Sequence, residues 1–304
     1  MKNKWFANGK LLITGEYLVL YGAEALAVPL KLGQSLQVQQ TKDGLLSWQA
    51  NAPGRKWFEA VFELPALNII ETSDREMSEQ LKSLLQNAVN QNGHFLKNET
   101  GLKVITHLDF DPSYGFGSSS TLVYCVAQWA GVDPYILQRD TFGGSGYDIA
   151  CAGANSPIIY KRNKENMVVI NINFSPPFRK QLYFVYLGRK KHTRSSIKNF
   201  REEAVYSESD VERVTAITHE IYKADKLEEF EALLTEHEEI MAGILHQPTV
   251  KNLYFKNYEG TVKSLGAWGG DFILATSRLT PEEFTRQMNT RGFQIIYPFT
   301  ELVL

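Results

Sequence analysis

The stretch Asp111-Pro-Ser-Tyr-Gly-Phe-Gly-Ser-Ser-Ser-Thr121 restricts the fold of this chain more than any other. It follows an alternating segment, residues 102–108, and leads straight into an apolar-periodic one that ends at Gly131. Strand, small-residue turn and helix in that order present main-chain N–H groups to an anion. Gly115 and Gly117 permit positive-φ geometry and leave room for a ligand to approach the backbone. Ser118, Ser119 and Ser120 would then open the helix, placing hydroxyls and unpaired amides at its positive dipole end. The plain alternative is a flexible Gly/Ser connection, but linkers seldom join a strand directly to a strong helix. Taken alone, the loop points to a phosphorylated ligand and no further.

The rest of the chain reads as a mixed α+β protein. Residues 4–20 alternate around Gly9-Lys10 and read as two short strands broken near Gly15-Glu16, before a turn at Tyr21-Gly22. Residues 25–30, 35–40, 45–49 and 57–64 continue as strands. Apolar residues at Leu81, Leu84, Leu85, Ala88 and Val89 form a helical stripe over 77–90. Asp133-Pro134 supplies an N-cap and first-turn proline for a short helix through Arg139. Residues 156–160 and 167–172 read as a hairpin. Ser175-Pro-Pro177 is the best boundary, because two prolines cannot continue a central strand. Two domains result, 1–175 and 176–304, which a chain of 304 residues has room for. In the second, the order strand (182–187), two long helices (210–224, 227–243), strand (272–276), helix from Pro281 and strand from Phe293 predicts a helix-backed, mostly antiparallel sheet on the split β-α-β plan.

Composition narrows the function classes. A net charge of −2 gives no ground for bulk nucleic-acid binding. No apolar stretch approaches the ~20 residues of a membrane span, and Gly9 and Lys10 interrupt any signal-like segment. Cys125 and Cys151, the two cysteines, sit in apolar company with no metal-like spacing, and read as buried reduced thiols of a cytoplasmic protein.

Four features ask for chemistry: Lys10, the loop at 115–121, Asp148 and the turn Gly266-Ala-Trp-Gly-Gly-Asp271. Phosphoryl transfer needs a nest for nucleotide phosphates, cations to offset developing charge, and a carboxylate to orient or deprotonate the attacking hydroxyl. The loop supplies the nest, Lys10 a point charge at a strand break, and Asp148 an acid presented by Gly-Gly-Ser-Gly. Singly, Lys10 reads as a solvated lysine and Asp148 as a helix N-cap. Three small-residue turns together are hard to assign to loops alone. The basic stretch Arg189–Arg194 with Lys198 reads either as a solvated turn or as an anion-binding segment, with Ser195 and Ser196 adding donors at a helix start. His237, in Glu236-His-Glu-Glu239, reads as a surface histidine on an exposed helix.

The motif Asn8-Gly-Lys-Leu-Leu-Ile-Thr-Gly-Glu-Tyr-Leu-Val-Leu-Tyr-Gly22 resembles the N-terminal motif of the GHMP kinases. Residues 112–121 resemble that superfamily's Pro-x-x-x-Gly-Leu-Gly-Ser-Ser loop, and 266–271 its Gly-rich C-terminal motif. The three occur in the superfamily's order and span nearly the whole chain. The resemblance implies an N-terminal ribosomal-S5-domain-2-like domain and a C-terminal ferredoxin-like domain, with ATP and substrate between them. Glu16-Tyr17, the stretch Ser145-Gly-Tyr-Asp-Ile-Ala and the C-terminal motif are most similar to phosphomevalonate kinases; mevalonate kinases are the near alternative, and a catalytically silent nucleotide-binding member a third. Carried over, the resemblance implies Lys10 and Asp148 as catalytic residues. Gly115, Phe116, Gly117, Ser118, Ser119 and Ser120 would hold the ATP phosphates, and Ser119 would also be a Mg²⁺ ligand. Glu16, Tyr17, Ser145, Gly146, Lys191, Arg194, Ser195 and Gly269 would lie at a small anionic hydroxylated substrate. The expected state is monomer or homodimer. Two departures stand out: Trp268 replaces a glycine, and Leu137 and Gln138 stand near the place of an upstream Mg²⁺-binding Glu, with Asp140 the nearest acid.

Overall fold

In the computed structural model, residues 3–97, 100–163, 166–188, 200, 202, 204–266, 268 and 271–304 are described. The chain forms two compact units. One comprises Met1–Gly9, Leu32–Pro112 and Phe116–Gly153; the other comprises Lys10–Lys31, Ser113–Gly115 and Ala154–Leu304. The proline pair near 175 lies inside the second stretch of sequence.

Strand β1 (Lys4–Leu12) is continuous through Gly9 and Lys10, with no break at Lys10. Residues 18–20, read as strand, instead form with Tyr21 a 3₁₀ turn (Leu18–Tyr21). Gly15 at φ 86° and Tyr17 at φ 58° are incompatible with extended backbone, so the strand cannot resume. The next two expected strands are one, β2 (Ala25–Gln40).

In the first unit the second half of β2 pairs antiparallel with β6 (Leu102–Leu108), Gln34 facing Leu108. β6 lies parallel to β3 (Leu45–Ala52), which pairs antiparallel with β4 (Arg55–Glu63), and β4 with β5 (Asn68–Thr72). The strand burial alternates as the sequence does; β6 buries Leu102, Val104, Thr106 and Leu108 in turn. Four helices cover this sheet: α1 (Arg75–Gln91), α2 (Ser118–Ala130), α3 (Pro134–Thr141) and α4 (Tyr147–Gly153). α1 turns Leu81, Leu84, Leu85 and Ala88 into the core, as its stripe predicts. Asp133 caps α3 by accepting from the amides of Tyr135 and Ile136, with Pro134 in the first turn.

In the second unit the first half of β2 pairs with β7 (Ile158–Asn163), and β7 with β8 (Asn166–Asn171), the expected hairpin. A four-stranded sheet follows, made of β9 (Leu182–Tyr186), β10 (Val262–Leu265), β11 (Phe272–Thr276) and β12 (Ile296–Pro298). Its spatial order is β10-β11-β9-β12 with every neighbouring pair antiparallel, the split β-α-β arrangement. β10 adds a strand to those expected. The long helices are α5 (Glu208–Lys223) and α6 (Leu227–Leu245), followed by α7 (Val250–Tyr254), α8 (Pro281–Thr290) and α9 (Phe299–Leu302).

Candidate active site

The loop after β6 has the backbone its glycines foretell, with Gly115 at φ 69° and Gly117 at φ 89°. Gly117 is the N-cap of α2 and provides no side-chain cap, so the first-turn amides have no capping side chain. The helix dipole adds positive potential at the same place. The three serines differ. Ser119 is exposed and Ser118 half-buried, whereas Ser120 is buried and its hydroxyl donates to the Gly117 carbonyl at 2.9 Å. Thr121 pins the helix start by donating to Gln34 Oε1 on β2 at 2.7 Å. Phe116 is fully buried, edge-on to Phe110 at 5.5 Å. Only its main chain is placed to meet a ligand. Both cysteines are buried free thiols, as expected.

Asp148 lies in the first turn of α4, which packs against α2. It is partly exposed, and the Ile149 amide donates to its Oδ1 at 3.2 Å. The approach to it needs glycine: Gly143, Gly144 and Gly146 stand at φ 71°, 103° and 93°. Ser145 is buried between the last two. Gln138 donates from Nε2 to the Gly143 carbonyl at 3.0 Å and so secures this turn, while Asp140 is bound by exposed Arg139 at 2.9 Å. The Tyr135 phenol is pushed up to about 12, first by burial and then by the charges of Asp133, Cys151, Tyr124 and Asp148.

Residues 113–115 and residues 10–22 of the N-terminal motif belong to the second unit. The Tyr186 hydroxyl donates to Ser113 Oγ at 3.4 Å, and the Tyr114 ring rests on Tyr186 at 4.9 Å and edge-on to Phe272 at 5.7 Å. A side chain on Gly115 would land on the Asp271 carboxylate. Gly115 and Asp271, residues of two of the sequence motifs, are thus brought together. Lys10 is half-buried on β1.

Glu16 is 1% exposed, and its carboxylate meets the ammonium of Lys263 on β10, which is itself fully buried. Gly15 donates its amide to Nε2 of His237 at 3.0 Å. Glu238 accepts from the Ser264 amide at 2.9 Å. Four titratable groups from three segments therefore converge. Burial raises the Glu16 carboxyl against the opposing pull of Lys263, and raises Glu238 to about 7. Burial also holds His237 well below its usual range, with Lys263 adding to the effect. The neutral ring with Nε2 as acceptor agrees with the bond from Gly15.

This corrects the expectation of a surface histidine. Phe230, Leu234, His237, Glu238, Met241 and Ile244 all lie on the buried stripe of α6. The helical spacing of 230, 234, 237, 241 and 244 places His237 on that stripe despite its charged neighbours. Nothing local in the sequence singles out Lys263, and Glu238 stands there only as part of the acidic run around His237, because a lysine in a short apolar strand and a glutamate in an acidic run carry no local mark of burial.

Tyr17 is 9% exposed. Its ring stacks on Phe200 at 4.8 Å and 5°, and its hydroxyl accepts from the Trp268 amide at 3.0 Å. Trp268, where the resemblance has glycine, is 3% exposed in an apolar cluster with Tyr17, Leu18, Phe200, Val214 and Met241. Its indole belongs to the core. Lys191, Arg194, Ser195 and Gly269 lie outside the described residues. Among the described residues no group of three His, Cys, Asp or Glu side chains is arranged to hold a metal ion, and no helix is long and apolar enough to cross a membrane.

No family model and no curated protein matches the chain in sequence. Solved structures do match. Mevalonate kinase superposes with a TM-score of 0.72 at 15% identity, covering 97% of this chain and 98% of that one. Streptococcus pneumoniae phosphomevalonate kinase, solved with phosphomevalonate and AMPPNP, gives 0.71 at 13% identity over 97% and 99%. Lactococcus lactis galactokinase, solved with galactose, gives 0.66 at 12% identity over 95% and 88%. Nearly the whole chain therefore carries the α+β fold of the GHMP kinases.

Proposed function

We propose that this protein is an ATP-dependent kinase of the GHMP type that phosphorylates a small isoprenoid-pathway acid, with phosphomevalonate as the acceptor and mevalonate as the alternative. The observation that carries the reading is the loop at 115–120: two left-handed glycines deliver the chain into a helix whose first-turn amides have no capping side chain. Such an opening suits a polyphosphate. The fold shared with mevalonate and phosphomevalonate kinases supports the reaction class, and AMPPNP bound to the latter supports the nucleotide.

On this reading Gly115 to Ser120 hold the nucleotide phosphates, mainly through backbone amides. Lys10 places its ammonium to offset charge that builds on the transferring group. Asp148 orients the acceptor hydroxyl and takes its proton. Ser145, Gly146 and Tyr17 shape the acceptor side, together with Lys191, Arg194, Ser195 and Gly269. The Glu16 carboxylate, engaged by Lys263, acts from behind. The exposed Ser119 hydroxyl is a hard oxygen donor that fits Mg²⁺. When bound, Mg²⁺ would neutralise phosphate charge, with its other oxygens supplied by nucleotide and water.

An ADP-release assay with each acceptor tests the proposal. Turnover on phosphomevalonate well above that on mevalonate supports it. Turnover on mevalonate alone moves the assignment to the alternative, and ADP release with neither overturns it.

A further inference from the structure

The dipeptide Glu16-Tyr17 is tied twice to one short stretch of chain. Glu16 meets Lys263 on β10, and Tyr17 accepts from the amide of Trp268 five residues later. Three positions beyond Trp268 in sequence stands Asp271, whose carboxylate rests against Gly115. The dipeptide is itself held from behind, since His237 receives the Gly15 amide. Lys263 is further fixed by donating to the Ser264 carbonyl at 2.9 Å, and Ser264 by Glu238.

The backbone at this point is strained. Tyr17 has φ 58° and ψ −46°, a conformation that a bulky residue avoids. Such strain persists only where the surroundings over-determine it, and it collects at functional sites. Two buried anchors on consecutive residues are such an over-determination. Burying a lysine fully in a four-residue strand is also costly unless the ion pair secures something that an apolar pair would not.

We propose that Lys263 and Tyr17 are positioning residues for the nucleotide-phosphate loop. Lys263 sets Glu16, Glu16 sets the strained Tyr17, and Tyr17 holds Trp268 so that Asp271 stays against Gly115. The Tyr17 hydroxyl is thereby an anchor for the turn. The inference rests on the kinase reading for the identity of the ligand, while the relay itself rests on the contacts alone.

Four variants test it: Tyr17→Phe, Lys263→Met, Glu16→Gln, and the double variant Glu16→Gln/Lys263→Met. The double variant removes both charges and keeps the volume, so it folds even where Lys263→Met alone does not. Two readouts are taken on each: amide exchange of the segment 264–272, and the dissociation constant for AMPPNP. The relay predicts faster exchange at the Trp268 amide in Tyr17→Phe and in the double variant. It also predicts AMPPNP binding weakened by about five- to tenfold in both, as expected for one lost hydrogen bond. A purely structural ion pair would lower the melting temperature of the double variant and leave AMPPNP affinity unchanged. Unchanged exchange at Trp268 in the double variant, or AMPPNP binding by Tyr17→Phe equal to that of the wild type, overturns the inference. Absence of AMPPNP binding by the wild type overturns the kinase reading instead, and the exchange measurement then decides the relay by itself.

Discussion

The amide of Gly15 donates to Nε2 of His237 at 3.0 Å, across 222 residues of sequence and with the imidazole wholly buried. This bond satisfies a main-chain donor at the point where the chain leaves extended geometry. Replacing His237 by Ala removes the acceptor and opens a cavity, so the expected loss is about 2–4 kcal/mol in urea unfolding. His237→Gln can still accept and should recover a good part of that. Equal destabilisation by both variants would show that the ring's packing, and not its acceptor, matters.

Glu238 makes the stability of this region depend on pH. Its carboxyl is raised to about 7 in the folded protein from 4.5, chiefly by burial and also by Glu16. A group raised on folding stabilises in its protonated form. Its contribution is complete below about pH 4.5 and is lost as pH climbs through about 7. Glu238→Gln should abolish that loss, so its stability relative to wild type rises between pH 5 and pH 8 by on the order of 3 kcal/mol. His237 acts in the opposite sense: its depressed value means stability present above pH 6.5 and lost below. Between about pH 4.5 and 6.5 the two terms oppose each other, so the wild-type melting temperature should change little there, whereas in Glu238→Gln, which keeps the His237 term, it should fall as pH drops below 6.5.

Much of the fold is legible because local chemistry decides it. The alternation over 102–108 makes β6, and α3 starts with Asp133 as N-cap and Pro134 in its first turn, as expected. The failures come from partners far away in sequence. β2 reads as two strands, 25–30 and 35–40, with Gly33 in the gap between them. In the structure Gly33 lies within β2, and a Cβ there would strike the Ala7 carbonyl and the Phe6 ring. That glycine is required by close approach. The loop at 115–120 is legible for the same reason as α3, since its glycines and serines act on their own backbone. The cluster of Glu16, His237, Glu238 and Lys263 is not, since each owes its burial to the other three.

Asp148→Asn tests the assignment of the base. The amide keeps the size of the side chain and cannot take a proton. A fall in kcat of about 10²–10⁴ is expected, with AMPPNP affinity within about threefold of wild type, since the phosphates are assigned to other groups. A variant that kept its kcat would remove Asp148 from the chemistry. One that lost AMPPNP binding as well would make the residue part of the fold of α4, whose first turn it occupies.

Gly115 carries two separable demands. Its φ of 69° suits glycine, and its Cα faces the Asp271 carboxylate. Gly115→Ala must meet both, so it should cost about 2–3 kcal/mol in urea unfolding, of which ~1 kcal/mol is the backbone conformation. In an Asp271→Ala background the carboxylate is gone, the remaining Cβ lies 3.1 Å from the added methyl, and the conformational share dominates. The cost of Gly115→Ala should then drop to ~1 kcal/mol, a coupling of about 1–2 kcal/mol between positions 115 and 271. Strict additivity in this cycle would mean that the loop relaxes away from Asp271 at no cost. Coupling of the expected size would establish that the C-terminal turn braces the phosphate loop, which is the contact through which Tyr17 and Lys263 are proposed to act.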